Sequence, residues 1–303
     1  MGDHSVTRRW TLRSLGVTAG VAALGNAPLL AQSELDLSDP KDTLHAVVKL
    51  RGNVTGGRVL QTYAGTLSLL LPGRVPTTVC SYQGVIRTDW TPRRDGSFAY
   101  RTFDLGYFGD LETGDFRESL VNPITGAQVR PTLIEDGPIE RIYSVDGIYW
   151  QGATPPDGAR LSIPWERAGD HIWYSSDFTF EYDNPLPPST YPNLSSTDRV
   201  VQRNTFTYKG RWSDLNDPGR VSAPSETLMS AISTIHPWLE MGAFQGFQMV
   251  STIAHKIDGV EQIAAPVRAF MESYRADFLS AETPFVGAGN SFERYKRDRI
   301  DAD

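Results

Sequence analysis

The chain has 303 residues, with 36 Asp+Glu against 29 Lys+Arg, 11% aromatic residues and a single cysteine. A formal charge of −7 without any Lys/Arg block argues against a nucleic-acid partner, which requires a concentrated basic surface. The lone Cys80 excludes an intramolecular disulfide, so the fold has to stand on its apolar core.

The first element is a targeting segment. Residues 7–13 read TRRWTLR, followed by the short Gly/Ala-rich run LGVTAGVAALG and by small residues ending in LLAQ. A basic n-region, a short apolar h-region and a small-residue exit make a signal peptide, and the Arg8-Arg9 pair resembles the bacterial twin-arginine export signal. Cleavage is expected after Ala31, which leaves 26 Lys+Arg against 35 Asp+Glu, a charge of −9. The apolar run is too short to span a bilayer, which takes about 20 residues. The expected partners are thus the twin-arginine translocase during export and no stable membrane span, with a periplasmic location.

Residues 32–286 are expected to form a single β-rich domain. β-rich runs occur at 44–51, 58–71, 75–91, 97–108, 139–145, 171–182, 199–213, 226–235 and 244–256, punctuated by turn signals such as Asp95-Gly96, Asn122-Pro123, Asp146-Gly147 and Pro218-Gly219. Many strands with short polar turns predict a mainly β fold, an antiparallel lipocalin-like barrel that is closed or nearly closed, because closure removes exposed edges. In HIWYSSDFTFEY the period is two, which sets Ile172, Tyr174, Phe178, Phe180 and Tyr182 on one face and Trp173, Asp177 and Glu181 on the other. Such a face suits a packed core or the wall of an apolar cavity. The Pro-rich piece NPLPPSTYPN, 184–193, reads as a long loop.

One C-terminal helix is predicted in VEQIAAPVRAFMESYRADFL, where Val260, Ile263, Val267, Phe270, Met271, Tyr274 and Phe278 recur at helical spacing and Pro266 marks a first turn or a kink. It is expected outside the barrel or across one end. Residues 287–303 read as a charged, solvated tail.

No H-E-x-x-H, C-x-x-C, P-loop or G-x-S-x-G motif is present, and the Gly-Ala-Gly at 287–289 lacks a dinucleotide-binding context. His45, His171, His236 and His255 show no metal-ligand spacing, so no metal and no cofactor is expected. Cys80 reads as a small buried hydrophobe. Acid–base chemistry remains available to the side chains. Asp104 and Tyr107 in YRTFDLGYF, Arg211 and Asp214 in GRWSDL, and His236 with Glu240 in TIHPWLEMG are the candidate catalytic groups. Tyr174, Phe178, Trp212, Trp238 and Met241 are the candidate substrate-binding surface. Each has a structural alternative: a turn cap for Asp104, core packing for Tyr107, a surface ion pair for Arg211 and Asp214, and a satisfied structural histidine for His236.

Two segments, VNPITG at 121–126 and HPWLEMG at 236–242, resemble a bacterial family known as domain of unknown function 1838, which shows an N-P-x-T-G turn and a P-W-x-x-M-G segment. The resemblance implies frequent twin-arginine export and no established chemistry; His236 stands where that family carries an apolar residue or proline. The expected function is a cofactor-independent lyase, dehydratase or isomerase acting on a hydrophobic aromatic or terpenoid small molecule. The alternative is a lipocalin-like carrier of an apolar ligand, and charged groups inside the cavity would favour the enzyme.

Overall fold

The computed structural model describes residues 34–242, 244–285 and 290–302. The export-signal reading of 1–31 and the Gly-Ala-Gly at 287–289 lie outside the described residues.

The 44–51 run is not a strand but the second half of a helix, α1 (Pro40–Arg51). Asp39 caps it by accepting from Lys41 N, Pro40 occupies the first turn, and Lys49 and Arg51 sit at its negative end. Leu44, Val47 and Val48 at helical spacing are fully or nearly fully buried. A run of only eight residues fits a strand period almost as well; the Asp-Pro start decides it.

The strands follow as β1 (Gly57–Leu70), β2 (Thr77–Pro92), β3 (Phe98–Gly109), β4 (Leu120–Val121), β5 (Gln128–Val129), β6 (Ile134–Ser144), β7 (Gly147–Trp150), β8 (Glu166–Ala168), β9 (His171–Asp183) and β10 (Arg199–Arg211). A short helix α2 (Trp212–Asn216) precedes β11 (Glu226–Ser233) and β12 (Phe247–Ile257), after which come α3 (Ala265–Tyr274) and α4 (Ser291–Tyr295), the latter running on into one wider π-helical turn at Lys296–Ile300. Ten strands form one antiparallel sheet in the order β7-β6-β3-β2-β1-β12-β11-β10-β9-β8, while β4 and β5 form a small separate ribbon.

The fold is mainly β, but the expected barrel is not closed: the sheet is a curled half-barrel, and several helices accompany it rather than one at the C-terminus. The last strands in the order, β7 and β8, cover only Arg141–Ser144 of β6 and His171–Trp173 of β9, so 174–183 of β9 form an edge with no further strand paired to it among the described residues, where Asp177, Glu181 and Asp183 set charges along it. The direction of curl follows from Arg51. Its guanidinium carbon lies 5.5 Å from the Tyr143 ring on β6 and 4.3 Å from the Tyr208 ring on β10. In a flat sheet those strands, six spacings apart, would be roughly 29 Å from each other. The face that carries both rings is therefore concave, and α1 plugs it.

Cross-strand register assigns the remaining side chains. Tyr63, Tyr82, Tyr100, Asp104, Phe108, Phe178, Phe180, Tyr182, Asn204, Phe206 and Lys256 share the concave face; Val85, Arg87, Phe103, Leu105 and Tyr107 share the convex one. The convex group packs against Val267, Phe270 and Met271 of α3, with Phe278 and Phe285 beyond it. Thus α3 lies outside the sheet as its periodicity implies, and Pro266 sits in its first turn. Arg87 is fully buried on the Phe103 ring, 4.3 Å away, and donates to the carbonyls of Phe278, Ala281 and Glu282, which fastens that segment to the sheet.

Of the expected solvated tail, 290–295 pack onto the sheet, while 297–299 and 301–302 are exposed. Phe292, Arg294 and Tyr295 are buried, Asn290 caps α4, and Arg294 ion-pairs with Asp136 on the concave face at 2.7 Å.

Candidate functional site

A polar cluster sits on the concave face where β1, β2, β3 and β6 meet. Tyr63 on β1 reaches across β2 toward β3, and glycine stands at both positions beneath it. A Cβ at either Gly84 or Gly106 would overlap the Tyr63 hydroxyl, so the two glycines form the slot that admits this ring. At its end the hydroxyl donates to Asp104 Oδ1 at 2.9 Å. Tyr82 packs on Tyr63 with centroids 5.1 Å apart. Burial pushes both phenols well above their ordinary pKa, so they remain neutral donors.

Asp104 retains some accessible surface and yet is enclosed by protein. Burial, reinforced by the nearby Asp136 carboxylate, pushes its carboxyl up to about 8, against the Tyr63 hydrogen bond and the Arg294 charge that pull it down. Asp136 is directly opposite on β6 and is held by Arg294. The pair thus divides into one carboxyl kept neutral near pH 7 and one engaged in an ion pair. Two carboxyls in such different settings are the arrangement that acid–base sites use.

His236 closes this end of the cluster. Its ring stacks on Phe292 at 5.3 Å and lies edge-on to Phe108 at 6.5 Å. Burial, and then the Arg294 charge, pushes its pKa down to about 4, so the imidazole is neutral; among the described residues Nδ1 has no hydrogen-bond partner.

A stacked aromatic ladder forms the opposite wall. Tyr208, Phe206, Phe178, Phe180 and Tyr182 follow one another at centroid spacings of 6.2, 5.8, 6.2 and 6.3 Å, with rings within 21° of parallel. Phe178 and Phe180 are 42% and 39% exposed although they face inward, so the ladder is open rather than packed. Asp136 and Glu293 both act on the Tyr182 phenol, whose pKa burial raises first, which brings the far end of the ladder alongside β6 and α4.

Among the sequence candidates, Asp104, His236, Tyr174 and Phe178 belong to the concave side. Tyr174 is buried between Trp165 and Tyr208 at the α1 end, and Phe178 is a rung of the open ladder. Tyr107 faces the convex side, where it donates to Gly114 O at 2.9 Å and packs on Phe116 and Phe270. Arg211 is exposed at the end of β10, and Asp214 pairs with Arg220 at 3.2 Å. Trp212 lies under the Arg167 guanidinium at 4.4 Å. Glu240 is exposed in a left-handed backbone conformation, φ 53°, while Trp238 and Met241 are core residues. Sequence reasoning missed Tyr63, Tyr82, Asp136, Arg294 and Arg51. Among the described residues no group of three His, Cys, Asp or Glu side chains is placed to hold a metal, and no helix is long and apolar enough to cross a membrane. Cys80 is fully buried, and burial pushes its thiol up to about 12.

The two segments that carried the family resemblance meet in space. Asn122 is fully buried; it turns its own ribbon by accepting from Ile124 N and donates to Leu239 O at 2.8 Å, inside the Pro-Trp segment. Gly242 N in turn donates to Asn193 O, so both motifs act as clamps on the loops at one end of the half-barrel.

In comparison with known proteins, the profile of the family described as "Protein of unknown function (DUF1838)" matches residues 57–293. No curated protein matches the chain. One solved structure, "Crystal structure of MucB in complex with MucA(peri)", is similar at 12% identity over 73% of this chain and 94% of that chain, with a TM-score of 0.14, too low to carry any argument.

Proposed function

The chain belongs to the DUF1838 family, whose description names no reaction, and from its geometry we propose that it is an acid–base enzyme acting on an apolar, aromatic or terpenoid small molecule held on the concave face. The observation that carries this reading is the Asp104 carboxyl, hydrogen-bonded by Tyr63, raised to about 8 and set on the same concave face as an open aromatic ladder. Tyr63 occupies Oδ1, and no other described residue bonds the carboxyl. Asp104 then gives its proton to an oxygen of the bound molecule, and the resulting carboxylate takes a proton from a neighbouring carbon. The enzyme ends as it began. The molecule is isomerised if the oxygen stays and dehydrated if it leaves as water, which is the lyase, dehydratase or isomerase class. A carrier would use the ladder alone and would leave the neutral carboxyl idle.

The binding half of the reading is tested with 1-pyrenebutanol, a neutral fluorescent aromatic. The double variant Phe178→Ala, Phe180→Ala is expected to keep its fold, since both rings are more than a third exposed, and to lose at least about tenfold in affinity, as the apolar surface of two rings implies. Unchanged affinity would place the ligand elsewhere. Turnover is assigned by native mass spectrometry of the protein isolated from its own host, followed by incubation with the molecule found; binding without conversion would favour the carrier.

The location proposed is the periplasm, on the strength of Arg8-Arg9 and the apolar run after them. Lysine at both positions is expected to leave uncleaved precursor in the cytoplasm; normal export of that variant would remove the twin-arginine assignment.

A further inference from the structure

At the α1 end of the concave face lies a charge that the acid–base reading does not use. Arg51, the last residue of α1, projects among Tyr100, Tyr143 and Tyr208, with its guanidinium carbon 5.4, 5.5 and 4.3 Å from their ring centroids. It donates to the Tyr143 hydroxyl and, at 3.5 Å, to that of Tyr100. Among the described residues no carboxylate comes within ion-pair distance of it. A guanidinium enclosed by protein without a counter-charge is costly, and ring faces offset only part of that cost. Arg51 nevertheless keeps some accessible surface, so it is not sealed in the core. Other enclosed arginines are answered differently: Arg294 has Asp136, and Arg87 has Asp89 at 3.1 Å.

Arg51 stands at the first rung of the ladder. Tyr208, directly under the guanidinium, is the first rung, and Phe206, Phe178 and Phe180 follow at steps of about 6 Å. A cation at one end of an apolar track, inside a chain that is acidic overall, complements a molecule with an anionic head and an apolar body. The planar fork of arginine matches a carboxylate by two parallel hydrogen bonds. The geometry points to a carboxylic acid as the substrate class: its carboxylate meets Arg51, its rings or chain lie along Tyr208, Phe206, Phe178 and Phe180, and its reacting end extends toward Asp104. This inference rests on the proposed binding site and adds the identity of the head group.

The test compares 4-(1-pyrenyl)butyrate with 1-pyrenebutanol, which differ in the carboxylate alone, by fluorescence titration of the full mature chain at pH 7.5. The wild type is expected to prefer the acid by at least about tenfold, the scale of one charge-assisted pair. Arg51→Gln is expected to erase the preference while leaving the alcohol's affinity within about twofold. Equal affinities for both probes in the wild type would overturn the carboxylate inference and leave the apolar site standing. Failure of both probes to bind would overturn the site itself. Arg51 also organises three tyrosines, so Arg51→Gln carries a cost to the fold; the wild-type ratio decides the question without it, and Arg51→Lys, which keeps the charge, is expected to retain a preference for the acid.

Discussion

Replacing Asp104 by asparagine is expected to reduce turnover of the bound molecule by about 10²–10⁴-fold, the usual contribution of a positioned acid or base, while leaving binding of 1-pyrenebutanol in place. Asparagine has the shape of the neutral carboxyl, and its side-chain oxygen still accepts from the Tyr63 hydroxyl, so the substitution removes the transferable proton and little else. Stability supplies a second readout that needs no substrate. The folded carboxyl titrates at about 8, whereas an unfolded aspartate titrates near 3.9. Between those values the native state holds a proton that the unfolded chain has released, so the contribution of this group is fully present below about pH 4 and is lost as pH rises through about 8. Asparagine does not titrate. The difference in unfolding midpoint between Asp104→Asn and the wild type is therefore expected to move in favour of the variant from pH 4 to pH 9 and to level off above 8. A difference that stays flat over that range would show that Asp104 is ionised in the native state, and undiminished turnover in the variant would remove it from the chemistry. His236 and Lys256, whose pKa values burial lowers, contribute slopes of the opposite sign, but they are common to both proteins and cancel in the difference.

Alternation was the most legible feature of the sequence. The division of 171–182 into an inward set with Tyr174, Phe178 and Phe180 and an outward set with Trp173, Asp177 and Glu181 is the register found in β9. The same rule separates Asp104 from Tyr107, because residues three apart on a strand point to opposite faces, and that parity is a property of the residue numbers alone. Parity does not say which strands lie side by side. Asp104 gains Tyr63 from 41 residues upstream and sits near Arg294 from the far end of the chain, so the cluster exists only once β1, β2, β3 and β6 are in register and α4 has docked. Gly84 and Gly106 were the local signal, two glycines inside otherwise β-rich runs, each marking a close approach. The unclosed barrel has a similar cause. Edge protection by closure is one solution among several, and here charged side chains along the β9 edge and a helix laid into the curl replace it. That helix announced itself only through Asp39-Pro40, which outweighs an ambiguous eight-residue run.

Lys256→Met is expected to cost about 3 kcal/mol and to lower the unfolding midpoint by roughly 10 °C, because one ammonium holds α1 to the sheet. Lys256 projects from β12 into the concave face and donates to four carbonyls, those of Lys49, Leu50, Gly52 and Ala223, at 3.1, 3.2, 2.7 and 3.0 Å. Three of the four belong to the end of α1, where a helix leaves its last carbonyls without partners and carries its negative pole. Burial pushes the ammonium down to about 7. The carbonyl cage and the helix pole oppose that push, and an amine shared among four acceptors at these distances requires its three N–H donors, so the protonated form is the one the geometry selects. Methionine fills the same space without a donor; the Lys49 carbonyl keeps Ala223 N and that of Gly52 keeps the Ser222 hydroxyl, while the Leu50 and Ala223 carbonyls lose the ammonium. The consequence reaches the site, because α1 ends in Arg51. Once its C-terminal turn loosens, the guanidinium is no longer fixed over Tyr208, and preference for the acid probe over the alcohol should fall together with stability. Lys256→Arg, which restores charge and donors, is expected to recover most of both. A methionine variant as stable as the wild type would show that the cage is incidental. One that lost stability but kept full acid preference would show that Arg51 is positioned by its tyrosines and not by the seating of the helix.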